Sequence, residues 1–157
     1  MSDTASPVLA PEERLHSDVS ASLIVRAGAE LYALPGACIR EVTRWRAPTP
    51  VPGAPAVIPG IINQRGSILP VVDLRIALGF PASAPERSTR FVVVHYAPVD
   101  LALLVDAVLD FVTLDSEMLE PAPTGRTCLL TAVGRYQQRP LGVMDLGALL
   151  AAVQEGP

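Results

Sequence analysis

At 157 residues, with half of them hydrophobic and only 18% charged, the chain is long enough for a real core. Aromatics make up 4%, so that core must be aliphatic. A net charge of −4 argues against a nucleic-acid partner, whose phosphates need a basic face, although all 12 basic residues are arginine. Two cysteines without close spacing offer neither a disulfide framework nor a zinc site, and no metal or other cofactor is expected.

The polar amino terminus, with Asp3, Glu12 and Glu13, does not resemble a signal peptide. The most apolar run, Leu101 to Leu114, is interrupted by Asp106 and Asp110 and is too short to span a bilayer. A soluble, cytoplasmic protein without direct membrane insertion is therefore expected. Its apolar composition also predicts a surface patch that meets a protein partner.

Residues 1–18 mix Ser, Pro, Ala and acids without periodicity and read as a flexible tail ahead of a single domain, 19–153. Ala21–Arg26 reads as a strand, Gly28-Ala29 as a turn, and Leu31–Leu34 as the hairpin partner. Pro35-Gly36 breaks that strand, and Cys38–Arg44 reads as a short helical turn running into another. Prolines 48, 50, 52, 55 and 59 exclude helix and central strand, leaving an extended connector. The polar loop Asn63-Gln64-Arg65-Gly66 follows, then a strand over Ser67–Val72. Asp73 is placed to cap a helix that Gly79 ends.

Residues 80–89 form the internal linker. Phe91–Tyr96, Leu101–Val105 and Leu109–Leu114 read as strands, and Asp115 caps a short turn. After a connector that begins at Glu120, Leu129–Val133 and Leu141–Met144 complete the strands. Asp145 caps a last helix.

Two landmarks recur. Leu31-Tyr-Ala-Leu matches Leu101-Ala-Leu-Leu, and Pro-Val-Val-Asp73-Leu matches Gly-Val-Met-Asp145-Leu, at offsets of 70 and 72 residues. They divide the chain into related units of about 20–79 and 90–150, each too small for a comfortable core of its own. The first holds six arginines against three acids and the second four against seven, so the units carry opposite net charge.

Chemistry-bearing motifs are missing. There is no G-x-S-x-G, P-loop, G-x-G-x-x-G or C-x-x-C, and the two histidines, His16 and His95, are isolated in sequence. His95, in an apolar strand, reads as a core-edge residue; Cys38 and Cys128 read as small hydrophobes, and Asp73 and Asp145 as caps. These observations predict a protein that is not an enzyme. One alternative is a small barrel that binds single-stranded nucleic acid through Arg40, Arg44, Trp45 and Arg46.

The pattern P-G-x-P-x-x-I-x-G-I-I-N-x-R-G-x-I-x-P-V-V-D-L-R-x-x-L-G, from Pro52 to Gly79, resembles the signature of the CheW-like domain of bacterial chemotaxis coupling proteins. The resemblance continues in Leu31–Leu34, Ile39–Val42, Val105–Val108, Phe111-Val112, Pro121-Ala122-Pro123 and Met144-Asp145-Leu146, and covers about residues 20–153. It implies two SH3-like five-stranded β-barrels around a shared apolar core, with short helices after Val72 and Met144. It also implies a non-enzymatic scaffold between a chemoreceptor's cytoplasmic tip and the regulatory domain of a CheA-type histidine kinase. Such a protein would be recruited to receptor arrays at the inner face of the membrane. On this resemblance Asn63, Arg65, Gly66, Val105 and Val108 would meet the receptor, and Ile39, Glu41 and Val42 the kinase. Gln64 stands where many relatives carry an apolar residue, which implies a more polar contact here.

Overall fold

Strands dominate the chain, in a computed structural model that describes residues 19–122 and 129–155. The expected tail 1–18 and Cys128 lie outside the described residues. In chain order come β1 (Val19–Ala27), β2 (Glu30–Pro35), a 3-10 turn over Gly36–Cys38, β3 (Ile39–Arg44), β4 (Gly60–Gln64) and β5 (Ser67–Asp73). Helix α1 (Leu74–Ala77), β6 (Arg90–Tyr96), β7 (Val99–Val105), β8 (Ala107–Asp115) and a second 3-10 turn (Ser116–Met118) follow. The two-residue β9 (Glu120–Pro121), β10 (Leu130–Tyr136), β11 (Arg139–Met144) and helix α2 (Leu146–Glu155) complete it.

The capping residues act as the sequence predicts. The Asp73 carboxylate accepts the Arg75 backbone N–H at 3.0 Å, and Asp145 accepts that of Ala148 at 3.0 Å. Asp115 accepts from Glu117 at the second 3-10 turn. Each satisfies a backbone donor that the first helical turn leaves without an internal partner.

The strands form two curled sheets, β9-β10-β11-β2-β1-β8 and β4-β5-β7-β6-β3, and each rolls into an SH3-like barrel. The barrels do not coincide with the units 20–79 and 90–150. β1 and β2 join β8 to β11, whereas β3 to β5 join β6 and β7, so the linker 80–89 does not separate two barrels. The repeat itself explains the exchange. Leu31-Tyr32-Ala33 on β2 pairs in parallel with Leu141-Gly142-Val143, and Ala102-Leu103-Leu104 on β7 pairs in parallel with Val71-Val72-Asp73. Each Leu-rich strand thus lies beside the helix-capping strand of the other unit. A parallel neighbour cannot be reached by a tight hairpin, and here the other half of the chain supplies it.

The apolar side chains fall into three mainly aliphatic layers. Ile24, Leu31, Ala33 and Leu141 fill the first barrel. Phe91, Val93, Ala102, Leu104, Val71 and Leu69 fill the second. Alternate residues of the same strands, among them Leu23, Val25, Val92 and Leu103, join Leu149 of α2 in the core between the barrels. Period-two alternation with both faces covered is why these strands read as nearly continuous apolar runs.

One polar cluster is buried in this interior. Arg75, 3% exposed, holds Asp73 through Nε and NH2, both at 2.9 Å, and Asp106 through NH1 at 3.0 Å. Asp106 also accepts the Gly28 N–H at 2.7 Å, and its own backbone N–H donates to the Arg26 carbonyl at 2.9 Å. The cluster ties α1, the β1–β2 turn and the β7–β8 corner together. The hydrogen bonds to Asp73 raise the Arg75 pKa further, against the opposing pull of burial.

Candidate functional site

A two-residue hairpin presents the polar loop. β4 and β5 pair in register from Gly60↔Val71 to Gln64↔Ser67, leaving Arg65 and Gly66 as the tip. Both have positive φ, 53° and 88°, the type I′ geometry that matches the twist of paired strands. An arginine in this left-handed region is uncommon, and Asn63 supports it: its Oδ1 accepts the Gly66 N–H at 3.0 Å. The side chain of Arg65 stands 79% exposed.

Arg65 meets a residue far away in sequence. Its Nε and NH2 lie 3.3 and 3.2 Å from Oε2 and Oε1 of Glu41, a fork-to-fork pairing. Gln64 Nε2 donates to the same Glu41 at 3.1 Å, and Gln64 Oε1 accepts from Arg46 at 2.7 Å. Arg46 donates also to the Asn63 carbonyl at 2.6 Å. These bonds, with the Thr49↔Ile61 bridge, span the gap between the sheet's edge strands and close the second barrel. The hydrogen bonds from Arg65 and then Gln64 hold Glu41 below the usual carboxylate range. In the first barrel the hydrogen bond from Tyr136 to Asp110, 2.6 Å, spans the corresponding gap.

The residues expected on the receptor side do not form one cluster. Asn63, Arg65 and Gly66 are exposed together at the hairpin tip, with Ile68 exposed beside them on β5. Val105 is fully buried in the core between the barrels and has no surface for a partner. It also lies at the other end of the sheet. Asp73 pairs with Leu104, next to Val105, whereas the tip lies six residues back along β5, roughly 20 Å at strand rise. Val108 is half-buried against the same core on β8. The neighbours that the sequence reading did not select, Leu109 and Phe111, are the exposed ones. Phe111 is 58% exposed, and period two would have singled out this edge strand had its outer edge been recognised.

On β3, Ile39 packs against the core, Glu41 is taken up by Arg65, and Val42 is 40% exposed. The aromatic-basic patch behaves differently from the expectation for single-strand binding. Trp45 packs against the second barrel's core, and Arg46 is engaged by the hairpin and lies 6.0 Å over the Phe91 ring. His95 sits at a sheet end with its Nδ1 against the Asp100 carboxylate of the paired strand. Cys38 is half-buried against the central core. No group of three or more metal-ligating side chains occurs among the described residues. No helix among them is long and apolar enough to cross a membrane.

Two SH3-like barrels that exchange strands around a common core, with a polar hairpin latched to a neighbouring strand, define a paired-barrel scaffold fold. The CheW-like domain model matches residues 21–154, and the chain belongs to that family. It is 28% identical over 132 residues to the chemotaxis protein CheW of Bacillus subtilis, spanning 82% of this chain and 85% of that protein. It is 36% identical over 98 residues to CheW of Rhizobium meliloti, 62% of this chain and 63% of that one. Protein PilI of Pseudomonas aeruginosa is 32% identical over 100 residues, 61% of this chain and 56% of its own length. Among solved structures, the scaffolding protein TtCheW of Thermoanaerobacter tengcongensis superposes with a TM-score of 0.78. That alignment has 26% identity and covers 85% of this chain and 94% of the other.

Proposed function

We propose that this chain is a non-enzymatic coupling scaffold that joins a chemoreceptor's cytoplasmic tip to the regulatory domain of a CheA-type histidine kinase at the inner face of the membrane. Family membership and the likeness to a solved scaffold support the reading. The observation that carries it is the contact between Arg65 and Glu41. It joins the hairpin on the proposed receptor side to the strand on the proposed kinase side through a solvent-exposed ion pair. A receptor tip is a helical bundle, and an exposed arginine on a braced hairpin can fix its register against carboxylates or helix-terminal carbonyls. Asn63 and Gly66 set the hairpin, and Val108 with Phe111 offers an apolar wall. Val42 and the outer face of β3 meet the kinase domain.

The test is reconstitution of receptor signalling fragment, kinase and this protein. The wild type is expected to co-sediment with both and to activate the kinase. Arg65→Glu is expected to weaken a partner contact while the fold stays intact by circular dichroism. Full kinase activation by Arg65→Glu would remove Arg65 from the contact, and failure of the wild type to bind either partner would sink the reading.

A further inference from the structure

The two barrels are closed by the same device in different chemistry. On β8 the register shifts by one residue, Asp110 facing Ile24 and Val108 facing Val25, so Leu109 is the extra residue of a bulge. On β3 the shift recurs: Ile39 faces Val94 and Glu41 faces Val93, with Arg40 extra. Asp110 and Glu41 therefore hold matching places on the two edge strands. The hairpin that joins β10 to β11 matches as well. Its tip, Gln137-Gln138, has positive φ at both residues, 48° and 68°, as Arg65 and Gly66 do at theirs. The residue before each tip reaches across to the acid after the bulge. Gln64 does so with an amide, and Tyr136 with a phenol whose oxygen lies 2.6 Å from Asp110 Oδ2.

Asp110 stands beside the most exposed apolar side chain of β8. Its other oxygen, Oδ1, accepts the backbone N–H of Phe111 at 2.8 Å. The Phe111 ring, 58% exposed, lies over Gly36, where a Cβ would come within 3.0 Å of its Cζ. One carboxylate thus holds the phenol with one oxygen and the backbone of Phe111 with the other. A hydroxyl-to-carboxylate bond of this length is among the stronger hydrogen bonds a side chain makes. A bulge is where an edge strand bends and re-aims its side chains, so a tether at that point governs their direction. The Tyr136 ring packs on the first barrel's core, so its hydroxyl can be removed while the packing is kept.

We infer that Tyr136 is a positioning residue for receptor binding: through Asp110 it fixes the bulged segment Leu109–Phe111, and with it the direction in which the Phe111 ring faces the receptor's helices. The inference rests on the function proposed above and adds to it a residue that acts through its neighbours. The second barrel's latch is built from other groups, so removal of this hydroxyl leaves β3 and its contacts untouched.

The experiment measures binding of the receptor signalling fragment and of the kinase regulatory domain to the full chain, by titration calorimetry. The chains compared are wild type, Tyr136→Phe, Phe111→Ser and the double variant. Tyr136→Phe is expected to weaken receptor-fragment binding by roughly threefold to tenfold, the range of one lost hydrogen bond. Kinase-domain affinity should change by less than about twofold, and the denaturant midpoint should stay close to wild type. In the Phe111→Ser background the same hydroxyl deletion should cost less than about twofold, because the ring it directs is gone. Amide resonances of Leu109–Phe111 should shift in Tyr136→Phe while those of Gln64 and Glu41 stay in place. Equal losses in both backgrounds would overturn the inference, since Tyr136 would then act independently of Phe111. Unchanged receptor affinity in Tyr136→Phe would overturn it too. So would a joint loss of both affinities with a lowered midpoint, which would make the hydroxyl a barrel closure and nothing more. Each of these leaves the scaffold reading standing, whereas wild-type protein that binds neither fragment would overturn both.

Discussion

Arg65 and Glu41, 24 positions apart in sequence, meet through two contacts of 3.3 and 3.2 Å that are open to solvent. Arg65 is 79% exposed and Glu41 27%, so the pair contributes little to folding and orients two surfaces relative to each other. A helix or carboxylate that captured Arg65 would release Glu41, and the hairpin and β3 would report on each other's occupancy. Gln64 donates to the same Glu41 Oε2 that Arg65 Nε approaches.

This contact has a pH signature. The folded pKa of Glu41 lies below its ordinary 4.5, so its contribution is fully present above the unfolded value and is lost as pH falls through the lower folded value. Carbon-detected NMR of the Glu41 carboxylate is expected to show a midpoint below 4.5, and Arg65→Ala should move it upward. A midpoint that Arg65→Ala leaves unmoved would show that the two side chains do not pair in solution.

Arg75 should be the most sensitive charged position in the protein. Its replacement by Ala leaves Asp73 and Asp106 buried without a counter-charge, a loss of about 3–5 kcal/mol on denaturant unfolding. Lys is expected to rescue poorly, because a point charge cannot bond both oxygens of Asp73 and reach Asp106 as well. Stability within about 1 kcal/mol of wild type in Arg75→Ala would contradict the buried cluster.

Gly60 is held by contact and not by its backbone angle. A Cβ there would stand 2.3 Å from the Thr49 carbonyl oxygen, on the bridge that helps close the second barrel. Gly60→Ala is expected to cost about 1–3 kcal/mol and to speed amide exchange at Thr49 and Ile61. Slow exchange retained at both amides would mean the closure accommodates the methyl group.

Val105 and Phe111 should separate packing from binding. Val105→Ala removes a fully buried side chain and is expected to lower stability by about 2 kcal/mol. Phe111→Ser is expected to stay within about 0.5 kcal/mol of wild type and to weaken receptor-fragment binding. The reverse pattern would place Val105 at the partner surface.

Much of the architecture was legible because it rests on local chemistry. Asp73, Asp115 and Asp145 announce their helical turns, Gly28 its hairpin, and the repeated Asp-Leu and Leu-rich landmarks the strands that end up as parallel neighbours. What could not be read was which strand lies beside which, since parallel pairing such as Val72 with Leu103 depends on crossovers and not on neighbours. The same gap hid the site. Arg75 reads as an ordinary charged helix residue until Asp106 is brought against it. Val105 and Phe111 both look like strand hydrophobes until one is central and the other at an edge. Glu41 and Arg65 were singled out separately, for different partners, and only the curl of the sheet joins them.

Exchange of strands between the halves bears on how the chain is made. The first barrel needs β11, so β2 must wait for a strand far downstream, Leu141 against Leu31, before it finds its parallel neighbour. Long-range closures of this kind are slow steps in folding. The exchange also suits a split protein. Fragments cut within Pro81–Pro85, an exposed stretch, would each lack half of both barrels and stay unfolded alone, yet would complement each other when mixed. Co-expression of 1–82 with 83–157, each carrying half of a reporter, would turn the topology of the fold into a growth phenotype.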